Sequence, residues 1–377
     1  MPAPLPPPPL SAAAWRSLLA LGEPPVPEGS APLVVVDLDD GTATAATEPV
    51  AWPFVPVVAV GVTRRPFGHP AEVPGAATCD VVLGPGDAHD NPDADSVANA
   101  DGTAGANDTH DAADAPNAAG TGDDLAAITA TVAANPVAAT ALAVLLRTGE
   151  GVDPLAGLVA ESATYSSLQA GAEFARWRAS RPVRRRPRSV EPVRLDRRGD
   201  VLEVVLHRPE VRNALDAAVR DGLVDALRLA AADPSIARVV LRGAGPSFCS
   251  GGDLDEFGTA PEPPDAHLLR LDRSAGRAAL AVADRLVAHL HGDCIGSGIE
   301  LPAFAGRVVA DPGARIGLPE VSLGLVPGAG GTVSLPRRIG RHRTARLALT
   351  GRTVDAATAH RWGLVDEIAR VPPAPGS

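Results

Sequence analysis

Gly296-Ser297-Gly298-Ile299-Glu300 and Leu318-Pro319-Glu320 decide how this chain reads. The first stretch sets a carboxylate beside a glycine-rich turn, and the second places another carboxylate twenty positions further on. Glycine lets a backbone approach a ligand closely, and a pair of carboxylates can take and deliver protons, so the pattern points to acid–base chemistry on an activated carbonyl. Two further glycine turns flank the pair. Phe248-Cys249-Ser250-Gly251-Gly252-Asp253-Leu254 lies upstream, and Pro327-Gly328-Ala329-Gly330-Gly331-Thr332 lies downstream.

In this order the four motifs resemble the crotonase superfamily, the enoyl-CoA hydratases and isomerases, over roughly the last half of the chain. The segment His207-Arg208-Pro209-Glu210-Val211-Arg212-Asn213-Ala214-Leu215-Asp216 is similar to the N-terminal signature of that family. The resemblance implies an α/β fold: a crotonase-like ββα spiral domain, preceded here by a smaller α/β and helical N-terminal region. It implies an acyl-CoA substrate, with coenzyme A as part of the substrate and no separate cofactor. A thioester becomes reactive when its oxygen can take on charge, and each backbone N–H aimed at that oxygen contributes about 3 kcal/mol. By the match those donors belong to Ser250 and Ser297, with Gly251, Gly252, Asp253, Gly296 and Gly298 lining the substrate. Most relatives carry glycine where Ser297 stands, but only its N–H is needed.

In hydratases similar to this chain two glutamates face a single water. One, ionised, takes a proton from water as it attacks the β-carbon; the other, protonated, delivers a proton to the α-carbon. Glu300 is read as the base and Glu320 as the acid, and the sequence leaves the order open. Two close carboxylates do not both ionise easily, so they are expected to share a proton. Asn213 is expected to brace a turn, Arg212 to lie near the coenzyme's entrance as a phosphate contact, and Asp253 to brace its loop beside the substrate. His289 and His291 read as a packed pair rather than metal ligands, because no third ligand has suitable spacing. No metal is expected. Cys249 has no activating base in its motif.

Bulk properties narrow the partners. With 377 residues, 45% of them hydrophobic, the chain can bury more than one core. A net charge of -11 argues against nucleic acid or an anionic membrane, both polyanions, as the main partner. All 34 cationic residues are arginine, which removes Schiff-base chemistry and leaves phosphate binding to guanidinium or backbone N–H groups. Three scattered cysteines, Cys79, Cys249 and Cys294, form no disulfide or zinc pattern and fit a reducing, cytoplasmic compartment. The Pro-rich start is unlike a signal peptide, and no run of eighteen apolar residues occurs. By family analogy the protein assembles as a homotrimer or hexamer.

Along the chain, Val-rich runs at Leu33–Leu38, Val57–Val62 and Asp80–Leu83 predict strands of a small α/β region over residues 1–85. Residues 86–122 are Asp, Ala, Asn and Gly with almost no large apolar side chain, a composition that predicts a disordered insertion. Helices are predicted over Asp123–Arg147, kinked or divided at Pro136, and over Val152–Arg178, forming a helical region at 123–180. A basic linker follows at 181–190. The catalytic domain, 191–377, is predicted to hold strands at Val201–Leu206, Arg238–Leu241 and Leu286–Leu290, a helix capped by Asp216, and another over Leu268–Ala283.

Relatives continue beyond the equivalent of Ile368 for several helices that cover the acyl pocket, whereas this sequence stops nine residues later. Asn135–Leu142, Ala160-Glu161-Ser162 and Ala172–Trp177 look like those terminal helices. The N-terminal half is therefore expected to be a degenerate or permuted crotonase-like module that roofs the site. Besides hydration, the motifs leave open an enoyl-CoA isomerase, a relative of the dihydroxyphenylacetyl-CoA dioxygenases with their long N-terminal addition, and a CoA-thioester-binding protein without turnover.

Overall fold

The computed structural model describes residues 4–21, 26, 30–39, 55–85, 121–182, 191–259, 262–371 and 374. The stretch at 86–120 and the linker residues 183–190 lie outside them. Thr121 and Gly122, assigned above to the insertion, instead open a helix.

Four parallel strands build the first sheet: β1 (Leu10–Ser11), β2 (Leu33–Asp37), β3 (Val58–Val62) and β4 (Val81–Leu83), in sequential order. Their side chains alternate between two cores, as a two-residue repeat requires. Val34, Val36, Ala59 and Val82 face a small core with Trp15 and Leu19 of helix α1 (Ala12–Leu21). Leu33, Val58, Val60, Val81 and Leu83 face the main core, which continues through the rest of the molecule.

Four helices follow: α2 (Thr121–Ala134), α3 (Pro136–Thr148), α4 (Pro154–Gln169) and α5 (Ala172–Ala179). Pro136 divides the expected helix, one of the two outcomes expected there. It starts a new one, bent 113° from its predecessor, because proline is tolerated at a first helical position and not in a helix interior. The helix expected over 152–178 is likewise divided, at Ala170-Gly171. Among the described residues no single helix is long and apolar enough to cross a membrane.

The second half holds a six-stranded sheet in the order β13-β10-β8-β7-β6-β5. Its members are β5 (Val193–Arg198), β6 (Val201–Leu206), β7 (Arg238–Gly243), β8 (Leu286–Leu290), β10 (Arg307–Ala310) and β13 (Glu367–Ile368). Only β5, a hairpin partner of β6, runs antiparallel. Helix α6 (Ala217–Ala232) is capped by Asp216, whose carboxylate accepts the Val219 N–H at 2.8 Å. The helix expected over 268–283 is two, α7 (Pro263–Asp272) and α8 (Ala275–Leu280), because Ser274 caps a fresh start. A smaller sheet joins β9 (Asp293–Ile295), β11 (Arg315–Gly317) and β12 (Val354–Asp355). The one-turn helix α9 (Ser297–Glu300) leaves the end of β9.

Helix α10 (Gly331–Thr350) ties the halves together, with α11 (Ala356–Trp362) after it. Its buried Arg346 pairs with the buried Asp124 of α2 at 2.5 Å, and Arg341 donates to the Cys79 and Ala77 carbonyls, each at 2.6 Å. Within the N-terminal half, Arg147 and Asp80 form another buried pair at 2.5 Å.

Candidate active site

The site forms where β9 turns into α9. Gly296 takes φ 52°, and its N–H donates to the Gly317 carbonyl at 2.9 Å, which ties the turn to the neighbouring strand. A side chain at position 296 would put its Cβ 2.3 Å from Glu320 Oε1. Glycine is therefore required here by the second carboxylate as well as by the backbone angle. Ser297 begins α9, and no described residue accepts its N–H. Its side chain turns away from that role and sits 3.8 Å from Cys249 Sγ.

Glu300 closes the same helical turn and is buried. Its Oε2 accepts the N–H groups of Ala329 at 2.8 Å and Gly331 at 2.9 Å. Burial pushes its carboxyl up to about 7, and those N–H groups hold it from rising further. Glu320, also buried, opens the short 3-10 turn Glu320–Leu323 after Pro319. Its Oε2 is buried with no hydrogen-bond partner among the described residues. Burial first, then repulsion from the Glu300 carboxylate, raises its pKa well above the usual range. The structure thus brings Glu300, Glu320 and the Ser297 N–H together around one turn.

Other expected residues fall differently. The Ser250 N–H, expected as an oxyanion donor, instead donates to the Arg212 carbonyl at 2.9 Å. The Arg212-Asn213 pair sits in the left-handed region, φ 52° and 55°, and that turn presents the carbonyl to Ser250. In the same loop, no described residue accepts the N–H groups of Gly251 and Gly252. Gly252 and Gly298 are packed against the protein itself, since added Cβ atoms would lie 2.5 Å from Phe257 and 2.3 Å from the Cys249 carbonyl. Gly251, at φ 99°, lies beside the Ile295 carbonyl. Asp253 is paired with buried Arg208 at 3.2 Å and accepts the Asp255 N–H, so it braces the loop. Asn213 braces the turn through one side-chain amide that donates to Ala244, Ser247 and Phe248 carbonyls. Arg212 keeps a half-exposed side chain, with Asp293 3.6 Å away.

The histidines do not act as a pair. Among the described residues His289 Nδ1 is buried with no hydrogen-bond partner, and burial lowers its pKa to about 4, whereas His291 Nε2 meets the Gly245 carbonyl at 3.0 Å. Burial pushes the Cys249 thiol up to about 11, away from thiolate chemistry.

Comparison with known proteins matches residues 196–372 to the family model described as Enoyl-CoA hydratase/isomerase. A 2,3-dehydroadipyl-CoA hydratase of Escherichia coli (strain K12) is 38% identical over 175 residues, 46% of this chain and 68% of that protein. The chain belongs to the enoyl-CoA hydratase/isomerase family. As a member it is a hydratase-like enzyme of the crotonase superfamily, and its ββα half is the family's domain. A mevalonyl-coenzyme A hydratase of Beauveria bassiana is 35% identical over 176 residues, 45% of this chain and 65% of that one. A crystal structure of enoyl-CoA hydratase from Thermoplasma volcanium GSS1 is 34% identical, covers 47% of this chain and 71% of its own, and superposes with a TM-score of 0.43. The chain spans about two-thirds of the length of these relatives.

The family match begins at residue 196, and residues of the N-terminal helices before it pack against the loops around Gly258 and Gly328. An added Cβ at Gly328 would lie 2.5 Å from the Tyr165 ring, and one at Gly258 would lie 3.0 Å from Phe174. The Trp177 ring lies 6.1 Å from that of Phe257, and Arg178 donates to the Leu254 carbonyl at 2.9 Å. Sequence reasoning missed one functional candidate here, Glu161. It is buried and accepts the Gly330 N–H at 2.7 Å and the Thr332 N–H at 2.9 Å. Its only signal was its place in Ala160-Glu161-Ser162, a stretch already matched to the terminal helices of relatives.

Proposed function

We propose that the protein hydrates an α,β-unsaturated acyl-CoA thioester to the 3-hydroxyacyl-CoA. The observation that carries this reading is the meeting of two buried carboxylates, Glu300 and Glu320, at the Gly296-Ser297 turn. At neutral pH Glu300, near its midpoint, has an ionised fraction able to take a proton, while burial and repulsion from the Glu300 carboxylate push Glu320 towards its protonated form. That difference favours Glu300 as base and Glu320 as acid.

Glu300 removes a proton from water, the water oxygen bonds to the β-carbon, and the alkene electrons move through the α-carbon to the thioester oxygen. The Ser297 N–H, with the N–H groups of the Ser250–Gly252 turn, meets the charge that develops there. A contribution from Ser250 requires its N–H to leave the Arg212 carbonyl. Glu320 then gives its proton to the α-carbon and the carbonyl re-forms. Transfer of one proton from Glu300 to Glu320 restores the resting state. The chemistry calls for no cofactor beyond the coenzyme A carried by the substrate, and in this reading the half-exposed Arg212 meets a phosphate of that coenzyme. The N-terminal helices serve as the roof that terminal helices give in relatives, and assembly as a homotrimer or hexamer belongs to the same reading.

The test is product analysis with crotonyl-CoA and longer trans-2-enoyl-CoA thioesters in ¹⁸O-water. Hydration gives a 3-hydroxyacyl-CoA carrying one heavy oxygen. A shifted double bond without label identifies an isomerase, oxygen consumption identifies dioxygenase chemistry, and tight CoA-thioester binding without product identifies a binding protein; each of these overturns the proposal.

A further inference from the structure

Four successive N–H groups, from Ala329 in the turn that leads into α10 to Thr332 in its first turn, divide between two acids from opposite halves of the chain. Ala329 and Gly331 donate to Glu300, at 2.8 and 2.9 Å. Gly330 and Thr332 donate to Glu161, at 2.7 and 2.9 Å, and the Thr332 hydroxyl adds a bond at 2.7 Å. The backbone strip is thus gripped from both sides, and neither carboxylate can move without dragging the N–H groups that hold the other.

Glu161 is 2% exposed and enters no ion pair among the described residues, although breaking into the interior unpaired is costly for an acid. A carboxyl with only a packing role is an expensive choice at such a place, since a neutral side chain of similar size would avoid the desolvation. The charged and titratable groups around it are few. They are Glu300 on α9, Glu320 on the following turn, Tyr165 one turn along α4, and Arg270 on α7, with His267 reaching Ser162 beside it at 2.9 Å. Arg270 lies over the Tyr165 ring at 4.7 Å and spends its donors on Ser162, Ser166 and Gln169.

We propose that Glu161 is a positioning residue for the reaction: it clamps the Ala329–Thr332 turn that aims Glu300, and its carboxyl is a third acid in electrostatic contact with the catalytic pair. The proposal rests on the acid–base reading of Glu300 above and deepens it, because it makes turnover depend on a side chain supplied by the N-terminal half. Burial and the Glu300 carboxylate push Glu161 up to about 8, while Thr332 and Gly330 hold it down. The repulsion is mutual, so a negative Glu161 disfavours ionisation of Glu300. Glu161, at about 8, is still mostly neutral where Glu300 ionises near 7, so a neutral side chain in its place should leave the low-pH limb set by Glu300 where it is and alter the profile only around pH 8.

The experiment is the pH profile of kcat for Glu161→Gln in the full-length protein, with Thr332→Val as a second variant that deletes one donor and leaves both backbone bonds. Glu161→Gln is expected to lower kcat about ten-fold or more, leave KM within about three-fold, keep the low-pH limb in place and remove the change in the profile around pH 8 where Glu161 ionises. Thr332→Val moves that change near pH 8 upward, since a carboxylate robbed of a donor ionises less readily. A folded variant with reduced thermal stability but wild-type kcat and an unaltered profile around pH 8 overturns the proposal. Should Glu161→Gln fail to fold, the Thr332→Val profile decides alone. Glu300→Gln is measured alongside: if it retains full activity, the acid–base reading itself fails, whereas an inactive Glu300→Gln beside unaltered Glu161 and Thr332 variants sinks only the role of Glu161.

Discussion

Replacing Gly331 with alanine drives a methyl group into the base. The new Cβ would stand 2.7 Å from Glu300 Cγ, 2.8 Å from its Oε2 and 2.9 Å from Pro327 Cβ. Ordinary contact begins at 3.4 Å, so Glu300 must retreat by roughly 0.6–0.7 Å or the turn must open. Either movement strains the Ala329 and Gly331 N–H bonds that aim the carboxylate. Misplacing a catalytic group by about 1 Å costs about a hundred-fold in rate, so kcat should fall about ten- to a hundred-fold with KM little changed. Stability should fall much less: overpacking costs about 1–3 kcal/mol, and alanine returns up to about 1 kcal/mol of helix propensity. The assay is loss of the conjugated enoyl-thioester absorbance under saturating substrate, paired with thermal unfolding. Gly122→Ala, on a helix surface with nothing within 4 Å, is the control and should keep wild-type kcat. A Gly331→Ala protein with wild-type kcat and unchanged melting would refute the placement of Glu300 against this turn.

Three further outcomes follow from the same geometry. Ser297→Ala should stay within about three-fold of wild type, while Ser297→Pro, which removes the N–H at a helix start where proline is tolerated, should lose about 10²–10³ in kcat by steady-state assay. Glu161 and Glu300 have native pKa values near 8 and 7, above the ordinary 4.5, so the native state holds extra protons between those values. Their contribution to stability is therefore full below about 4.5 and lost as pH rises through about 7–8; denaturant unfolding at pH 5 and 8 should show that loss, and Glu300→Gln should shrink it. Asp124→Ala leaves Arg346 buried without its 2.5 Å partner and should destabilise the protein by about 3–5 kcal/mol in urea unfolding, with the two halves losing structure together.

How much of this was legible in the sequence differs by residue. Strands such as Val58–Val62 and Leu286–Leu290 were readable because buried parallel strands are continuous apolar runs. Strand β5 was not: Arg194, Asp196, Arg197 and Arg198 look like a polar loop, and they form a strand because a sheet edge exposes both faces. Asp216 declared its helix through capping, whereas the division at Ser274 and at Ala170-Gly171 depended on caps hidden inside long helical patterns. In the site, Glu300 and Glu320 stood out because glycine turns flank them. Glu161 did not, since a glutamate among Ala and Ser on a helix looks like a solvated one until the partner strip, 169 positions away at Gly330, is folded against it. The engaged Ser250 N–H was equally invisible, because it depends on the left-handed conformation of Arg212 and Asn213, and arginine rarely adopts that region.

The central claim is that Glu300 and Glu320 together perform acid–base hydration at the Ser297 turn. It is tested most directly by kcat for trans-2-enoyl-CoA hydration in wild type, Glu300→Gln and Glu320→Gln, each verified as folded. The account predicts measurable wild-type turnover and losses of about 10²–10⁴ in each single variant. Wild-type hydration no faster than in either variant, across several acyl chains, would contradict it.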